Sequence, residues 1–543
     1  MTLATLSAIA ATFACVAYAI RRRRHRAPLP PGPKGWPIIG NLLDIPSTYE
    51  WEKYMQWARE LQTDILHIDA AGTSIIILDS YEACCDLLAQ RAQYYSDRPA
   101  FPMTIDLMGM DFNFAFIPYG ETSSLVGRRA RRRIAHESLH GKASINVRPL
   151  ELKSAYTFLR NMLDAGEDAL EAEIRLMTGR LIVSAAYGID VRSKEDPHIV
   201  EAEMLMRRLM SSAAPGAYLV NSIPALKYIP EWMPGASFQA EAREWRDRAQ
   251  EIVDRPFNLV KQSMVRSRFQ PRSFTLAHVK SQANGNSETP SFVARSLKKG
   301  GEDRAVRDAA ATMYNGGTDT TVVTILNFVL AMLDNPSMQR RAQRDLDAVL
   351  GPLRGADGEL GRLPVFDDEE RLPYITALAR ESSRYRPVLP MSIPHAYNGE
   401  EPDIYKGYAI PCGSIVIPNV WSMAHDKKAY PDPYAFKPER YLDADGKLDP
   451  NVRDPAKIIF GFGRRNCIGR HVAYSTLWIT IASILRVYNI GKAKRSDGSF
   501  IEPCREWVSA LIQNPKHFKC VFTPRSADAV AVLRATEVAS ENV

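Results

Sequence analysis

A cysteine at position 467 lies in a segment whose residue types could support cofactor chemistry. Residues 460–469 read FGFGRRNCIG, and an apolar helical pattern follows through Leu485. The two glycines before the cysteine permit a tight backbone turn that could lie against a flat cofactor. A helix dipole stabilises a thiolate at the start of a helix, so we expect a low pKa for the Cys467 thiol. These residues alone are compatible with a ligating thiolate or with a buried structural cysteine.

Two further segments combine polar and small residues inside helical patterns. Residues 316–321 read GGTDTT, and each glycine inside a helix costs about 1 kcal/mol relative to alanine, so the pair requires a reason. A capped helix that starts at Thr318 is the structural explanation. Glu381 and Arg384 lie one helical turn apart on one face, a spacing that by itself is typical of a surface ion pair.

The cysteine segment resembles the heme-binding loop of the cytochrome P450 superfamily. That loop has the pattern F-x-x-G-x-R-x-C-x-G, which is matched here at its five fixed positions, Phe460, Gly463, Arg465, Cys467 and Gly469. The resemblance implies that the chain binds heme b and that Cys467 is the axial ligand of its iron. In that family the thiolate donates electron density through iron and favours cleavage of the O–O bond.

Other elements of the family follow in the expected order along the chain. Glu381 and Arg384 match its E-x-x-R helix motif, and Arg440 matches the arginine that joins them, which implies a buried charge network. Residues 316–321 resemble the family's oxygen-activation motif, where the helix opens to leave room for dioxygen and water. The resemblance implies that Thr320 hydrogen-bonds the oxygen and that Asp319 supplies protons.

Heme propionates are anionic and need cationic partners when they are partly buried. His395 and Arg465 match family positions that usually contact them. The sequence departs from the family over 119–128, where a Trp-Arg pair is usual but residues 123–127 read SSLVG. Arginines persist in the run 128–133, and we expect Arg132 to reach a propionate. Residues 123–127 are either a real insertion or an error of gene translation.

The N-terminus predicts a membrane anchor. Residues 1–20 contain no charged side chain, and about 20 helical residues span the roughly 30 Å hydrocarbon core. Residues 21–26 read RRRRHR, and such a basic run keeps the following chain in the cytosol. A cleaved signal peptide, the competing interpretation, carries its positive charge before the apolar stretch. We therefore predict a single-pass helix at 1–20, a basic, proline-rich linker at 21–34 and a catalytic domain at 35–543 on the cytosolic side of the endoplasmic reticulum.

The bulk composition excludes several other classes of protein. The net charge of +7 is concentrated largely in two arginine runs, so a nucleic-acid-binding surface is not expected. Seven cysteines, an odd number without a C-x-x-C pair, fit neither a disulfide framework nor a zinc ribbon. We predict a mainly α fold with minor β, the cytochrome P450 fold, with strands near 65–68, 75–78 and 405–418 and an exposed loop at 281–290.

The sequence therefore predicts a heme-thiolate monooxygenase. The softer resemblance is to fungal secondary-metabolite hydroxylases, which implies a lipophilic substrate such as a terpenoid and electrons from NADPH–cytochrome P450 reductase. Apolar pocket walls are expected at 101–116, around Asn315 and Gly316, at 388–393 and at 508–511. Two alternatives remain, a heme-thiolate isomerase or dehydratase that needs no external oxygen activation, and an inactive heme-binding membrane protein.

Overall fold

The computed structural model describes residues 27–119, 127–213, 216–269 and 291–541. The predicted anchor at 1–20, most of the irregular segment 123–127 and the predicted loop at 281–290 lie outside these residues. The described chain forms two compact units, one comprising 27–99, 389–426 and 457–466 and the other comprising the remaining residues from 100 to 541.

The first unit is built on a small sheet and one long helix, α1 (Glu50–Glu60). The strands are β1 (Ile65–Ala70), β2 (Thr73–Leu78), β3 (His395–Ala396), β4 (Asp403–Tyr405), β5 (Tyr408–Ile410) and β6 (Ile415–Pro418). Ala71 and Gly72 join β1 to β2 with φ angles of 49° and 89°, which is the left-handed geometry that suits a two-residue hairpin. The four-stranded sheet has the order β1-β2-β6-β3, with β2 and β6 parallel, and β4 and β5 form a separate hairpin.

Apolar side chains from α1 and the sheet form the core of this unit. The indole rings of Trp51 and Trp421 lie 6.2 Å apart and are fully buried with Leu66 and Ile77. A strand that alternates buried and half-buried side chains presents one face to such a core. The predicted strands near 65–68, 75–78 and 405–418 are therefore confirmed.

The second unit is predominantly helical. Its long helices are α2 (Arg128–Leu139), α3 (Arg148–Asn161), α4 (Leu170–Tyr187), α5 (Pro197–Ala213), α6 (Ser237–Phe269), α7 (Asp303–Thr318), α8 (Thr320–Asp334), α9 (Pro336–Leu350), α10 (Pro373–Tyr385), α11 (Arg470–Val487) and α12 (Ala527–Glu541). The antiparallel strands β7 (Tyr488–Lys492) and β8 (Cys520–Pro524) complete it. The prediction of a mainly α fold with minor β is confirmed.

Shorter helical segments connect these elements. The α-helical ones are Tyr81–Cys84, Ala92–Tyr95, Gly141–Ser144, Leu219–Ser222, Phe292–Lys298, Val420–Ala424 and Ala456–Ile459. The 3-10 segments are Ile145–Val147, Pro224–Tyr228, Phe366–Arg371, Pro438–Tyr441 and Gly463–Arg465, and the π-helical ones are Cys85–Gln90 and Pro102–Leu107.

Two consecutive helices, α7 and α8, run through the centre of the second unit. Helix α7 packs against α2, α4 and α5, whereas α8 packs against α10 and α11. Over Asp303–Asp334 these helices form the one stretch, within the described residues, that is long and apolar enough to cross a membrane. Because 78% of its most apolar window is buried in protein, it serves as a core element here.

Candidate functional site

The loop before Cys467 has a backbone that only glycine can form at one position. Gly463 has a φ of 55°, and a Cβ atom there would lie 2.0 Å from the Leu88 carbonyl oxygen. Gly461 also has a positive φ of 75°. The Asn466 amide donates to the Gly463 carbonyl oxygen at 3.3 Å and closes the turn. The expectation of a tight, glycine-dependent loop is therefore met.

The Cys467 side chain borders an interior space. It is accessible to solvent although it lies deep in the protein. Burial raises the pKa of the Cys467 thiol, while the backbone amides of Gly469 and Arg470 and the charges of Arg132 and Arg470 lower it. The low thiol pKa expected from the helix dipole alone is therefore wrong, because burial outweighs the dipole. Coordination to a metal ion would deprotonate the thiol outright.

Three basic residues of the first unit donate hydrogen bonds to backbone carbonyl oxygens of the same unit. His395 is 2% exposed, and its Nδ1 lies 2.7 Å from the Tyr95 carbonyl oxygen, an acceptor that requires a hydrogen on Nδ1. The Nε–H group of Arg465 donates a hydrogen bond to the Ser96 carbonyl oxygen at 2.7 Å. The guanidinium of Arg98, 6% exposed, donates to the carbonyl oxygens of Ile393 and Pro394 at 2.8 and 2.7 Å. Sequence reasoning missed Arg98.

The arginine run in α2 is divided between two environments. Arg131 is completely buried and pairs with Asp308 of α7 at 2.9 Å, while its guanidinium also donates to the Asp111 carbonyl oxygen. Arg132, the next residue, is half-buried and interacts electrostatically with Cys467. Helix periodicity turns adjacent side chains about 100° apart, which explains the separation. The prediction that Arg132 approaches the cofactor region is compatible with this geometry.

The two glycines of the GGTDTT run serve different purposes. A Cβ at Gly317 would lie 2.8 Å from Ile182 of α4, so this glycine permits close packing of two helices. At Gly316 a Cβ would meet nothing within 4 Å, and this residue is exposed although Asn315 beside it is buried. Asn315 is buried and accepts a hydrogen bond from Asn113, and the pocket wall expected around Asn315 and Gly316 stays a prediction.

The helix is interrupted one turn later. Helix α7 ends at Thr318 and α8 begins at Thr320, so Asp319 separates them. The Thr320 hydroxyl donates to the Gly316 carbonyl oxygen at 3.2 Å. The alternative of a helix that starts at Thr318 is wrong, because Thr318 ends α7. The break falls in the predicted oxygen-activation motif, and the role of that motif toward dioxygen stays a prediction.

Asp319 is 6% exposed and forms an ion pair with Arg175 of α4. Arg175 also lies 3.0 Å from Glu171 and 3.8 Å from Glu203, a residue of α5. Burial lowers the pKa of Arg175, but Asp319 and the two glutamates outweigh it and raise the pKa. Burial raises the pKa of Glu203. The partner of Asp319 lies 144 residues away in sequence and gave no signal there.

Glu381, Arg384 and Arg440 form the buried network that the sequence predicted. Arg384 donates to both carboxylate oxygens of Glu381, at 2.7 and 2.8 Å, and Arg440 Nε donates at 3.2 Å. The Lys437 backbone amide and the Tyr441 hydroxyl donate to the same carboxylate. Since Glu381 and Arg384 are completely buried, these bonds compensate their lost hydration.

Comparison with known proteins adds a decisive observation. A sequence model of the family "Cytochrome P450" matches residues 30–521. This chain belongs to the cytochrome P450 family. It is 40% identical to cytochrome P450 monooxygenase 98 of Postia placenta over 97% of this chain and 96% of that protein. It is 39% identical to cytochrome P450 monooxygenase ple1 of Rhodocybe pseudopiperita over 95% and 92%, and 36% identical to tryptamine 4-monooxygenase of Psilocybe cyanescens over 95% and 96%.

As a cytochrome P450 monooxygenase, the chain is an oxidoreductase that uses heme b, and its residues fit that group. The Cys467 thiol borders interior space and offers a soft anionic ligand, and the exposed Gly316 lacks a side chain that would fill the space beside it. Within the first unit, the guanidinium groups of Arg465 and Arg98 are cations of the kind that propionates require. Among the described residues no cluster of histidine, cysteine and carboxylate side chains is arranged to hold a separate metal ion.

Proposed function

We propose that this cytochrome P450 hydroxylates or otherwise oxidises a lipophilic small molecule, a fungal secondary metabolite such as a terpenoid, with O2 and electrons from NADPH. The observation that carries the proposal is the interruption of the central helix at Asp319 beside the exposed Gly316. An isomerase or dehydratase that does not activate O2 has no need to deliver protons to O2 beside such an opening. Relatives named as fungal monooxygenases support the same reaction class.

Each candidate residue has a proposed role toward heme. Cys467 would be the axial ligand, and the bound heme would supply the activation of O2. Phe460, Gly463 and Gly469 would shape the loop that lies against it. His395, Arg465 and Arg132 would neutralise the propionates. Because Nδ1–H of His395 donates to a carbonyl oxygen, a hydrogen bond from Nε2 to a propionate requires the doubly protonated ring. Glu381, Arg384 and Arg440 would lock the surrounding core.

Asp319 and Thr320 would deliver protons to the space at the helix opening. The Thr320 hydroxyl, now donating to the Gly316 carbonyl oxygen, is close enough to the helix opening to hold a hydrogen bond to a molecule in that space. The Asp319 carboxylate, held by Arg175, would collect protons from the side of the half-buried Glu203. Loss of either group would divert electrons to peroxide.

Electrons would arrive from NADPH–cytochrome P450 reductase, and the chain would lie on the endoplasmic reticulum membrane. Besides the predicted anchor at 1–20, one described segment presents large apolar side chains to solvent, with Leu219, Tyr228 and Trp232 exposed by 73%, 78% and 81%. Such a patch on a protein surface is typical of a membrane or protein contact.

The test combines a spectrum with a turnover assay. The reduced holoprotein under carbon monoxide should show the strongly red-shifted Soret band of a thiolate-ligated heme. Cys467→Ala and Cys467→Ser should lose it, while Cys412→Ala, an exposed cysteine elsewhere, should keep it. A thiolate spectrum in Cys467→Ala would refute the ligand assignment.

Substrate oxidation is tested separately. Candidate terpenoids and tryptamine, the latter suggested by the name of one relative, are screened by the spectral change on binding. Turnover with labelled O2 should place one labelled oxygen in the product and require NADPH with reductase. Product formation that needs neither would support the isomerase or dehydratase instead.

A further inference from the structure

The first turn of α2 lacks the features that usually stabilise the start of a helix. It begins after Gly127, which has no side chain to accept hydrogen bonds from the first backbone amides. It contains no acidic residue, whereas residues 128–133 include five arginines. Because the N-terminal end of a helix carries a partial positive charge, these arginines destabilise it. Buried Ala135 and Leu139 hold the later turns, so the first turn depends on other contacts.

Arg131 provides such a contact by pairing with α7. Its Nη2 lies 2.9 Å from the Asp308 carboxylate, and its Nη1 donates to the Asp111 carbonyl oxygen at 2.5 Å. Both side chains of the ion pair are completely buried. A buried arginine without a counter-charge is strongly unfavourable, so Arg131 can occupy this position only while Asp308 compensates its charge.

The Asp308 carboxylate is held in place independently of Arg131. Nε and Nη2 of Arg307 donate to its Oδ1 at 2.9 and 2.7 Å, and Nη1 of Arg307 donates to Asp254 of α6 at 2.9 Å. Burial raises the pKa of Asp308, although Arg131 and Arg307 lower it. One oxygen of Asp308 is therefore fixed by its own helix, and the other, Oδ2, is the atom that pairs with Arg131.

The other arginines of the run have different surroundings. The Arg129 guanidinium lies over the Tyr119 ring, 5.1 Å from its centroid, and Arg133 is exposed. Arg132 is half-buried and interacts electrostatically with Cys467. Adjacent residues of a helix point about 100° apart, so the rotation of the first turn determines which arginine faces the cysteine. Because arginines fill nearly every position of the run, their sequence alone does not set that rotation.

Resting on the proposed role of Arg132 toward heme, we propose that the Arg131–Asp308 ion pair holds the first turn of α2 in the one rotation that directs Arg132 to the heme propionates. Arg131 and Asp308 are then positioning residues, because they act on the cofactor through Arg132. Without the pair, the first turn unwinds or rotates and Arg132 leaves its place beside Cys467. Asp308 lies on α7, which ends at the opening beside Gly316, so one helix would set both features of the site.

The experiment measures three properties of the full-length holoprotein: the rate of heme loss to apomyoglobin, the reduction potential of the heme iron and the hydrogen–deuterium exchange of the α2 backbone amides. Arg132→Gln is the reference, because it removes the proposed cation directly. It should speed heme loss about ten- to a hundredfold, the effect of one lost hydrogen bond to a charged group. It should also lower the reduction potential, because a positive charge near the iron favours the reduced state.

Arg131→Gln should reproduce the faster heme loss and the lower potential although Arg132 is unchanged. Asp308 stays compensated by Arg307 in this variant, so the fold should be retained. Amide exchange should become faster in the first turn of α2 and stay unchanged in its later turns. The double variant Arg131→Gln, Arg132→Gln should lose heme no faster than Arg132→Gln, because residues that act through one another are not additive. Asp308→Asn should lower the potential in the same way.

Arg133→Gln is the matched control, since it removes the same charge from an exposed position of the same helix, where solvent screens it. It should keep the wild-type values of all three properties. Wild-type heme loss and potential in Arg131→Gln, beside an effect in Arg132→Gln, overturn the positioning role, as do additive losses in the double variant. If Arg132→Gln has no effect, the proposed propionate contact and its positioning fail together, and the carbon monoxide spectrum tests the heme-thiolate assignment separately.

Discussion

Two buried carboxylates of the second unit, Glu381 and Asp319, have opposite surroundings. Glu381 is completely buried and accepts hydrogen bonds from two arginines, a backbone amide and a tyrosine hydroxyl. Asp319 lies at a helix interruption and is paired with one arginine, which two further glutamates share. Glu381 is held by several hydrogen-bond donors. Asp319 is held by Arg175, which also lies near Glu171 and Glu203.

We propose that this difference separates a structural role for Glu381 from a proton-transfer role for Asp319. Removing one member of a fully satisfied buried network leaves an uncompensated charge, so such a group stabilises one conformation. A carboxylate that transfers protons must reach both a donor and an acceptor, and it needs a partner it can leave. In the proposed proton-transfer role, Glu171 and Glu203, at 3.0 and 3.8 Å from Arg175, would be its alternative partners.

The largest effect is expected at Glu381. Glu381→Ala should destabilise the fold by about 3 to 5 kcal/mol, because the buried Arg384 loses its counter-charge. Little heme-containing protein should be recovered, as measured by heme content per chain and by thermal unfolding. Glu370→Ala, at an exposed position nearby, is the control and should change stability by less than about 0.5 kcal/mol. Normal heme content in Glu381→Ala would remove the distinction between the two carboxylates.

A smaller effect, on catalysis and not on folding, is expected at Arg175. Arg175→Ala should keep the thiolate spectrum but lower product formed per NADPH, with a fall of about tenfold or more in the product-forming rate. The solvent isotope effect should change and peroxide should increase, which a purely structural loss would not produce. Arg207→Ala, an exposed arginine near the same Glu203, is the control.

A double-mutant cycle sharpens this result. If Arg175 acts by positioning Asp319, Asp319→Asn and Arg175→Ala should not be additive. Additive losses, or an unchanged amount of product per NADPH in Arg175→Ala, would show that the ion pair has no part in proton delivery.

The narrowest effect, confined to the pH dependence of stability, is expected at a third buried carboxyl, Glu151 of α3. It is 1% exposed and accepts hydrogen bonds from the Ser475 and Thr476 hydroxyls at 2.5 and 2.8 Å. Burial raises its pKa to about 7, although the two hydroxyls and Arg148 lower it. The folded protein therefore holds this proton more tightly than the unfolded chain, and the associated stability is present at low pH and lost as pH rises through about 7.

Glu151→Gln should remove that dependence. Between pH 5 and pH 8 the free energy of unfolding of the variant should rise by about 1 to 3 kcal/mol relative to that of the wild type. The unfolding temperatures of the two proteins should therefore diverge as the pH rises. Glu137→Gln, an exposed glutamate, should show no such divergence. Parallel pH profiles for wild type and Glu151→Gln would mean that Glu151 does not titrate in this range.

The sequence by itself determined the features that depend on neighbouring residues. The loop around Gly463, the hairpin at Ala71 and Gly72 and the start of α11 after Gly469 follow from glycine positions and apolar periodicity. The network of Glu381, Arg384 and Arg440 was predictable because the family motif identifies its members. The roles of these residues toward heme stay predictions.

The tertiary structure decided which charged groups meet and what burial does to them. Arg132 was expected near the heme, but the local sequence does not exclude Arg131, because the arginine that lies near Cys467 is decided by the packing of Asp308 against α2. Arg175 reaches Asp319 across 144 residues, and burial reverses the expected direction of the Cys467 pKa. Ion pairing and desolvation depend on distances between segments that are remote in sequence, so local patterns could not predict them.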